Sequence, residues 1–325
     1  MSGPAPVWDV INGYAAYWAL HAAVELGLFD HLPATSAELA EATGVADPAD
    51  VTLLAQLLAA KGLLETDGER WSNSPAAERF LVTGSPASMV GLVRHSPGPK
   101  QGWPELAETI RNGRPAEETA DALNALYPEL VAATAATQAA VARGVAAELR
   151  TRGLWDGTGL VVDLGCGSGA WLEGVGAENA IGVDLAHVVP AARARVPGAS
   201  FLEGDYLDVD LPAGKANVVI LAHVLRAESD ERAEALLDKA LHLLADAGVL
   251  LVADYFRPPN GEDTTTYADA VHDLTLALTM RASTPGRGLS EQTLAAWCAA
   301  RGAHTDAVVE PVPRQRVHLI KRGTR

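Results

Sequence analysis

The chain has 325 residues, which is long for a single folded core and sufficient for two domains. Its 48% of hydrophobic and 20% of charged residues are typical of a globular protein and exclude a disordered chain. The formal charge of −16 argues against nucleic acid and against anionic membranes as partners, because both bind clusters of lysine and arginine.

Targeting and redox features are absent from the sequence. No apolar run approaches the ~20 residues of a membrane span, and the first residues lack the basic and apolar segments of a signal peptide. The two cysteines, Cys166 and Cys298, lie far apart and have no Cys or His partners at metal-ligand spacing. We therefore expect a cytoplasmic protein with reduced thiols, no metal site and no membrane attachment.

The first third of the chain is predicted to be helical. Apolar residues recur at helical spacing over 12–32 and 36–64. Thr35-Ser36-Ala37-Glu38 has the pattern of a capping box, and Asp47-Pro48 is typical of a further helix start.

A short hairpin is predicted to follow these helices. Residues 63–73 form two extended stretches around the turn residues Asp67-Gly68. Three helices and a hairpin make a winged helix, which we expect over residues 1–95. Its would-be recognition helix, 49–61, contains one lysine, which argues against DNA binding. The apolar surplus at 14–20 exceeds what so small a core buries, and this indicates a homodimer contact.

A helical linker is predicted over residues 96–150. Pro97-Gly98-Pro99 and Asn112-Gly113-Arg114-Pro115 mark loops. The Ala-rich segment 127–149 then predicts a long helix that leads into the next domain.

A Rossmann-like catalytic domain is expected over 151–325, because short apolar runs now alternate with helical segments. Buried runs of this kind predict the parallel strands of a doubly wound α/β sheet. The five predicted strands are 160–163, 180–184, 200–203, 218–222 and 249–254. Two more stretches, 306–311 and 316–321, are joined tightly around Pro313, so we expect an antiparallel last strand to close the sheet.

Acidic residues follow three of these strands, at the edge where open α/β sheets bind their ligands. The candidate cofactor-binding residues are Asp163, Gly165, Gly167 and Gly169 after the first strand, Asp184 and Leu185 after the second, and Asp205 and Tyr206 after the third. The glycines allow a sharp turn and a close approach of a ligand to the backbone. Asp184 is suited to a ribose diol.

Either a dinucleotide or S-adenosylmethionine (SAM) is compatible with the glycine loop alone. Asp163 favours SAM, because a carboxylate there repels a pyrophosphate and attracts an aminoacyl ammonium. Asp205 supplies an acceptor for the adenine amine, and Tyr206 can flank the ring. The predicted cofactor is therefore SAM.

With these motifs the chain resembles the class I SAM-dependent methyltransferases, and among them the bacterial small-molecule O-methyltransferases with an N-terminal winged-helix dimerisation domain. The resemblance spans nearly the whole chain, and it includes Trp103-Pro104-Glu105-Leu106 through Gly113-Arg114-Pro115 and the stretch 243–252. It implies that Gly165, Gly167 and Asp184 bind the aminoacyl and ribose parts of SAM, and that Asp205 and Tyr206 bind adenine. It also implies a homodimer in which residues 8–18 reach the partner's substrate pocket.

The sequence departs from the family where the acceptor is activated. Members of the family commonly carry His-Asp-Trp after the fourth strand, and the histidine removes the acceptor's proton. Here this place reads Val224-Leu225-Arg226-Ala227-Glu228, and a Glu-containing segment that steadies the histidine is replaced by Gly286-Arg287-Gly288-Leu289. The usual base is absent.

Three acceptor chemistries remain open. Arg226 stays protonated near neutrality but can hold an anionic acceptor such as a carboxylate or an acidic phenolate. Methyl transfer to carbon or to a neutral nitrogen needs no base. A substitute base is the third option, and His223, Tyr267, His272 and Asp273 are the candidates, of which His272 and Asp273 face the pocket only if a helix at 267–280 covers it.

Simpler interpretations of these residues are also open. Arg226 is predicted to begin a helix that holds Glu228, Asp230 and Glu231, where an exposed ion pair is common. His223 at a strand end is either a pocket residue or a core histidine.

The predicted function is methylation of a small-molecule secondary metabolite, with Arg226, His223, His272 and Asp273 as candidate catalytic residues. One alternative is a SAM-binding enzyme that catalyses a non-methyl reaction such as hydroxylation or rearrangement. Another is a ligand-sensing transcription factor, which the acidic charge disfavours.

Overall fold

The computed structural model describes residues 3–95, 102–115 and 117–323. The chain divides into two compact units, Met1–Ser96 and Pro97–Arg325. The loop predicted at Pro97-Gly98-Pro99 lies outside the described residues.

The first unit contains helices and one hairpin in the order expected for a winged helix. Its helices are α1 (Ala5–Glu25), α2 (Ser36–Thr43), α3 (Pro48–Ala60), α4 (Pro75–Phe80) and α5 (Val90–His95), and its antiparallel strands are β1 (Leu64–Thr66) and β2 (Trp71–Asn73).

Local capping chemistry sets the helix starts of this unit. The Thr35 hydroxyl accepts the Glu38 N–H while the Glu38 carboxylate accepts the Thr35 N–H, so the predicted capping box is confirmed. Asp47 caps α3, with Pro48 as its first residue. The prediction of a first helix over 12–32 is wrong at both ends, because α1 begins after Pro4 and ends before Gly27, whose φ of +68° is left-handed.

The second unit is an α/β sheet flanked by helices. Its strands are β3 (Leu160–Leu164), β4 (Asn179–Asp184), β5 (Ser200–Glu203), β6 (Ala216–Ala222), β7 (Leu244–Asp254), β8 (Ala303–Val312) and β9 (Gln315–Arg322). Its described helices are α6 (Leu106–Asn112), α7 (Glu117–Thr151), α8 (Ala170–Val175), α9 (Val189–Arg195), α10 (Asp230–Leu243), α11 (Thr264–Asp269), α12 (Val271–Ser283) and α13 (Glu291–Ala300).

The sheet has the strand order β5-β4-β3-β6-β7-β9-β8. Strands β3 to β7 are parallel, and β9 is antiparallel to both β7 and β8. The predicted doubly wound sheet with an antiparallel last strand is confirmed. The strand order reverses between β3 and β6, so the loops after these two strands diverge and open a crevice at the carboxyl edge of the sheet.

Alternate side chains of the central strands enter two hydrophobic clusters, one on each face. In β6, Val219 and Leu221 pack in the cluster that contains α10 and α13, whereas Val218 and Ile220 pack in the cluster that contains α7 and α8. This double burial explains why the strands read as continuous apolar runs.

Helix α7 is longer than predicted. It runs from Glu117 to Thr151, and Val141, Val145 and Leu149 are fully buried against the sheet. By length and composition, residues 126–151 are the one described helix that could cross a membrane, a test that core helices of this kind also pass.

The single helix predicted over 267–280 is wrong. The chain forms α11, breaks at Ala270 and continues as α12. The Asp269 carbonyl at this break accepts a hydrogen bond from Arg314 Nη2 at 3.0 Å, which satisfies the helix end from outside.

Candidate active site

The glycine loop follows β3 and is held against β4. Gly165, Gly167 and Gly169 have φ values of +80°, +53° and +74°, which favour glycine. The N–H groups of Gly165 and Cys166 both donate to the Val183 carbonyl. A Cβ at Gly165 would lie 2.4 Å from Val224 Cγ1, so the absence of a side chain lets the loop from β3 approach the loop from β6.

Asp163 lies beneath this loop with 1% of its surface exposed. Neither carboxylate oxygen has a hydrogen-bond partner among the described residues. Burial, and then the nearby Asp184, raises the pKa of Asp163 well above its usual range.

Asp184 ends β4 and is tied to the same loop. Its Oδ2 accepts the Gly167 N–H at 2.7 Å and its Oδ1 accepts the Leu185 N–H at 2.8 Å. Burial raises the pKa of Asp184, although both hydrogen bonds oppose the shift. Each oxygen retains a lone pair for a ligand hydroxyl. The Leu185 side chain is exposed beside it.

Asp205 and Tyr206 follow β5 and belong to a polar network. Asp205 accepts the Leu207 N–H at 2.9 Å and Arg232 Nη2 at 2.8 Å. Partial burial acts to raise the pKa of Asp205, but these two contacts hold it below its usual value. The Tyr206 hydroxyl donates to Glu228, and its Cε1 would lie 3.9 Å from a Cβ at Gly165. Tyr206 is therefore close to the first loop.

These residues fit SAM. An ammonium suits the unpaired buried carboxylate of Asp163, since a buried charge needs a counter-charge. The glycine backbone is approachable because Cβ atoms are absent, and the free lone pairs of Asp184 suit a ribose diol. The described residues contain no group of three or more His, Cys, Asp and Glu side chains that could hold a metal.

Arg226 lies on the other side of the crevice, and its predicted position at the start of a charged helix is wrong. It occupies a single 3-10 turn, Leu225–Ala227, and α10 starts at Asp230 with Ser229 as its cap. The 16% exposed side chain pairs with buried Asp254, with Nε 3.5 Å from Oδ1. Nε and Nη1 are both buried and make no hydrogen bond among the described residues, so the contact with Asp254 is an ion pair and not a hydrogen bond. The alternative suggested by the sequence, an exposed ion pair between Arg226 and acidic residues of the same helix, is therefore not observed.

His223 is adjacent to the same carboxylate. It follows β6 with a left-handed φ of +62°. Its Nδ1 lies 3.6 Å from Asp254 Oδ1, and its Nε2 lies 3.0 Å from Gln138 Oε1 on α7. Burial is the main cause that lowers the pKa of His223; the neighbouring Asp254 opposes the shift and Arg226 adds to it. The net shift favours the neutral imidazole over the imidazolium.

Tyr255 joins His223, Arg226 and His272. Its ring stacks on His223 at 5.3 Å, lies 5.6 Å from the Arg226 guanidinium carbon and meets the edge of His272 at 5.5 Å. Gln315 Nε2 donates to its hydroxyl. Three of the four predicted catalytic side chains therefore surround one aromatic ring. We call this group of four residues, Tyr255, His223, Arg226 and His272, the Tyr255 wall.

Asp273, the fourth, has a partner of its own. Its Oδ2 lies 3.1 Å from Arg314 Nη1, and the same arginine caps the end of α11. Tyr267, another base suggested by the sequence, accepts the Gly261 N–H in a neighbouring loop. These contacts give both residues a role in holding the α11–α12 junction.

The segment Gly286-Arg287-Gly288-Leu289 lies directly against Arg226. The N–H groups of Gly288 and Gly286 donate to the carbonyls of Arg226 and Ala227, respectively. A Cβ at Gly286 would lie 2.1 Å from the Arg226 carbonyl oxygen. The two places where the sequence departs from the family pattern are therefore neighbours in space.

Four residues of this region were missed by sequence reasoning. Asp254 is the last residue of β7, so the rule that identified acids at the ends of the other strands also finds it, and Tyr255 is its neighbour. Gln138 and Tyr127 lie on α7, far from the strands in sequence. Burial and Asp184 raise the pKa of Tyr127 while Arg226 opposes the shift, so its phenol is within electrostatic reach of both sides of the crevice.

Comparison with known proteins gives matches over both units. The model of the O-methyltransferase dimerisation domain matches residues 8–83, and that of the O-methyltransferase domain matches 103–302. The chain is 30% identical over 286 residues to the N,N-dimethyltransferase OxyT of Streptomyces rimosus, which covers 82% of this chain and 81% of the relative.

Solved structures share the fold. Human N-acetylserotonin methyltransferase in complex with SAM has a TM-score of 0.80 and 23% identity, and the match covers 98% of this chain and 97% of that one. CalO1, a methyltransferase in calicheamicin biosynthesis solved with S-adenosylhomocysteine (SAH), has a TM-score of 0.79 and 24% identity, with coverage of 98% and 97%.

Proposed function

This chain belongs to the O-methyltransferase family that joins a dimerisation domain to a catalytic domain, and we propose that it transfers the methyl group of SAM to a small-molecule acceptor held at the Tyr255 wall. It is a SAM-dependent methyltransferase. When bound, SAM supplies an electrophilic methyl group on a sulfonium.

The cofactor is held by residues after the first three strands. Asp163 supplies the counter-charge for the ammonium, and Gly165, Gly167 and Gly169 allow the backbone to approach the ligand. Asp184, beside Leu185, accepts from the ribose hydroxyls. After the third strand, Asp205 and Tyr206 bind the adenine. Asp205 also accepts a hydrogen bond from Arg232, so its carboxylate serves both groups.

The acceptor is methylated without a histidine base. The observation that supports this is the position of Arg226, which forms an ion pair with Asp254 and lies over the Tyr255 ring at the place where the family pattern has its histidine. A guanidinium cannot take a proton near neutral pH, but it can orient an anion. His223 is no substitute, because both of its nitrogens face protein groups.

The acceptor atom therefore carries its own nucleophilicity. We favour a carboxylate or an ionised phenol oriented by Arg226, and a neutral nitrogen or carbon satisfies the same condition. The relative OxyT is named as an N,N-dimethyltransferase. This name supports nitrogen as well as oxygen as a possible acceptor atom. No observation favours a reaction other than methyl transfer.

The test is methyl transfer from labelled SAM to a panel of aromatic carboxylates, phenols of graded acidity and aromatic amines. For the phenols that are methylated, the midpoint of the pH–rate profile should move with the acidity of the acceptor. A midpoint that stays fixed across acceptors would reveal a protein base and refute the proposal.

Arg226→Ala should raise the KM for an anionic acceptor about tenfold or more, while the Kd for SAH stays within about twofold of the wild-type value. Arg226→Lys, which keeps the charge and loses the planar fork, should be intermediate. Calorimetry with SAH and steady-state kinetics separate the two effects. Unchanged acceptor kinetics in Arg226→Ala would exclude Arg226 from the acceptor site.

A further inference from the structure

A single side-chain oxygen of α7 connects the helix after the glycine loop with the Tyr255 wall. Gln138 Oε1 lies 3.0 Å from Trp171 Nε1 on α8 and 3.0 Å from His223 Nε2. The indole nitrogen is only a donor, so the atom that faces it must be the amide oxygen and not the amide nitrogen. Trp171 therefore fixes the orientation of the Gln138 amide.

That orientation determines the tautomer of His223. Because the same oxygen faces His223 Nε2, this nitrogen must carry the proton that it donates. A neutral imidazole has one N–H, so Nδ1 is then an unprotonated acceptor. Nδ1 is buried and makes no hydrogen bond within the described residues.

Asp254 competes for the same proton. Its Oδ1 lies 3.6 Å from His223 Nδ1, and the same oxygen lies 3.5 Å from Arg226 Nε. This oxygen already accepts the Tyr255 N–H at 2.8 Å. If His223 donated through Nδ1 instead, Oδ1 would face three donors, which are Tyr255 N–H, Arg226 Nε–H and His223 Nδ1–H. The groups that face His223 are Asp254, Arg226, Gln138 and the Tyr255 ring.

We propose that Gln138 is a positioning residue, which holds the imidazole proton of His223 on Nε2 and thereby keeps His223 from competing with Arg226 for Asp254 Oδ1. Gln138 does not contact the reacting atoms in this arrangement. It acts through His223 and Asp254 to fix the guanidinium that orients the acceptor, so its kinetic consequence rests on the proposed function. The tautomer itself does not depend on that function.

The test uses the full-length protein labelled with ¹⁵N at histidine and arginine side chains, with and without SAH. Long-range ¹H–¹⁵N spectra distinguish the two imidazole tautomers, and His223→Asn and Arg226→Lys assign the signals. In the wild-type protein at neutral pH, His223 should be the Nε2–H tautomer. An Nδ1–H tautomer or an imidazolium would overturn the proposal.

Substitutions of Gln138 give the second readout. Gln138→Leu removes the acceptor, so the His223 proton should move to Nδ1, and exchange of the Arg226 Nε–H with solvent should become about tenfold faster. Gln138→Glu still accepts from both neighbours and should retain the Nε2–H and the slow exchange. An unchanged tautomer in Gln138→Leu would overturn the proposal.

A matched control lies one turn away. Thr134→Val removes a side-chain hydrogen bond to the carbonyls of the same helix and should leave the His223 and Arg226 signals unchanged. If Gln138→Leu fails to fold, the wild-type and Gln138→Glu spectra still decide the assignment. If the protein transfers methyl groups but His223 is the Nδ1–H tautomer, only this inference is refuted. If His223 is the Nε2–H tautomer but no acceptor is methylated, only the proposed function is refuted.

Discussion

Asp163 is a buried carboxylate without a counter-charge among the described residues, so its negative charge destabilises the folded apoprotein, and in our assignment the ammonium of SAM supplies that counter-charge. Its raised pKa means that protonation favours the folded state. This contribution is fully present below the usual carboxyl pKa and is lost as the pH rises through the raised value. The apoprotein should therefore become less stable as the pH increases over this range, and SAM should offset the loss.

Asp163→Asn should raise the melting temperature of the apoprotein at pH 8 by about 2–4 °C, because it removes the buried charge and its repulsion with Asp184. The same change should weaken SAM binding at least about tenfold, which is about 1.4 kcal/mol. Thermal unfolding and calorimetry measure the two effects, with the exposed Asp210→Asn as the control. A variant that is less stable than the wild-type protein at pH 8 would contradict the argument.

Asp184→Ala should lower the affinity for SAH about tenfold or more, because it removes both oxygens that face the ribose in our assignment. The carboxylate also holds the Gly167 N–H, so Asp184→Asn, which keeps one acceptor oxygen, should lose less. Calorimetry compares the three proteins. Equal SAH affinities would remove Asp184 from the cofactor site.

At the scale of the elements, the glycine loop depends on backbone conformation and on close packing together. Gly165→Ala adds about 1–2 kcal/mol of left-handed strain and a 2.4 Å contact with Val224. Gly176→Ala is the matched control, because Gly176 has a φ of +70° and open space around its Cβ position. We expect denaturant unfolding to show about 1–3 kcal/mol more destabilisation for Gly165→Ala, with loss of SAH binding in that variant only. Equal losses would mean that the contact with Val224 is unimportant.

The elements also differ in how well the sequence predicts them. The parallel strands were predicted with most ends within two residues, because burial on both faces produces apolar runs that local sequence reveals. The start of β7 at Leu244 was missed, since Asp246 and Gly248 interrupt its pattern. The break at Ala270 could not be predicted, because the group that satisfies it comes from Arg314 in a distant turn.

The same reasoning applies to the candidate site. The residues that we assign to the cofactor lie at strand ends or directly after them, so a rule about strand ends finds them. The relation between Gln138 and His223 spans 85 positions and depends on the packing of α7, which no local pattern encodes. Arg226 was found only because a family pattern made its position conspicuous.

At the scale of the whole molecule, α1 carries an apolar surface within the region that matches the dimerisation domain. Its exposed large apolar side chains are Val7, Trp8, Val10, Ile11 and Tyr14. So many exposed apolar residues on one helix are typical of an interface.

Trp8→Glu combined with Ile11→Glu should therefore convert a homodimer into a monomer, because two buried charges at a subunit contact are unfavourable. Light scattering after size-exclusion chromatography measures the mass. Val308→Glu, at an exposed apolar residue of the second unit, should leave the mass unchanged. A wild-type monomer at micromolar concentration, or a variant that remains dimeric, would contradict the assignment.

The reversal of strand order between β3 and β6 has a consequence for how this enzyme can be altered. Loops that follow β3, β4 and β5 carry the donor-binding groups in our assignment, whereas those that follow β6 and β7 carry Arg226, His223 and Tyr255. In our assignment, donor binding and acceptor binding thus depend on separate segments of the chain. A mutant library confined to 223–228 and 254–258 should yield enzymes that methylate new acceptors and bind SAM with unchanged affinity. Acceptor specificity can therefore evolve here without changes to the donor-binding residues.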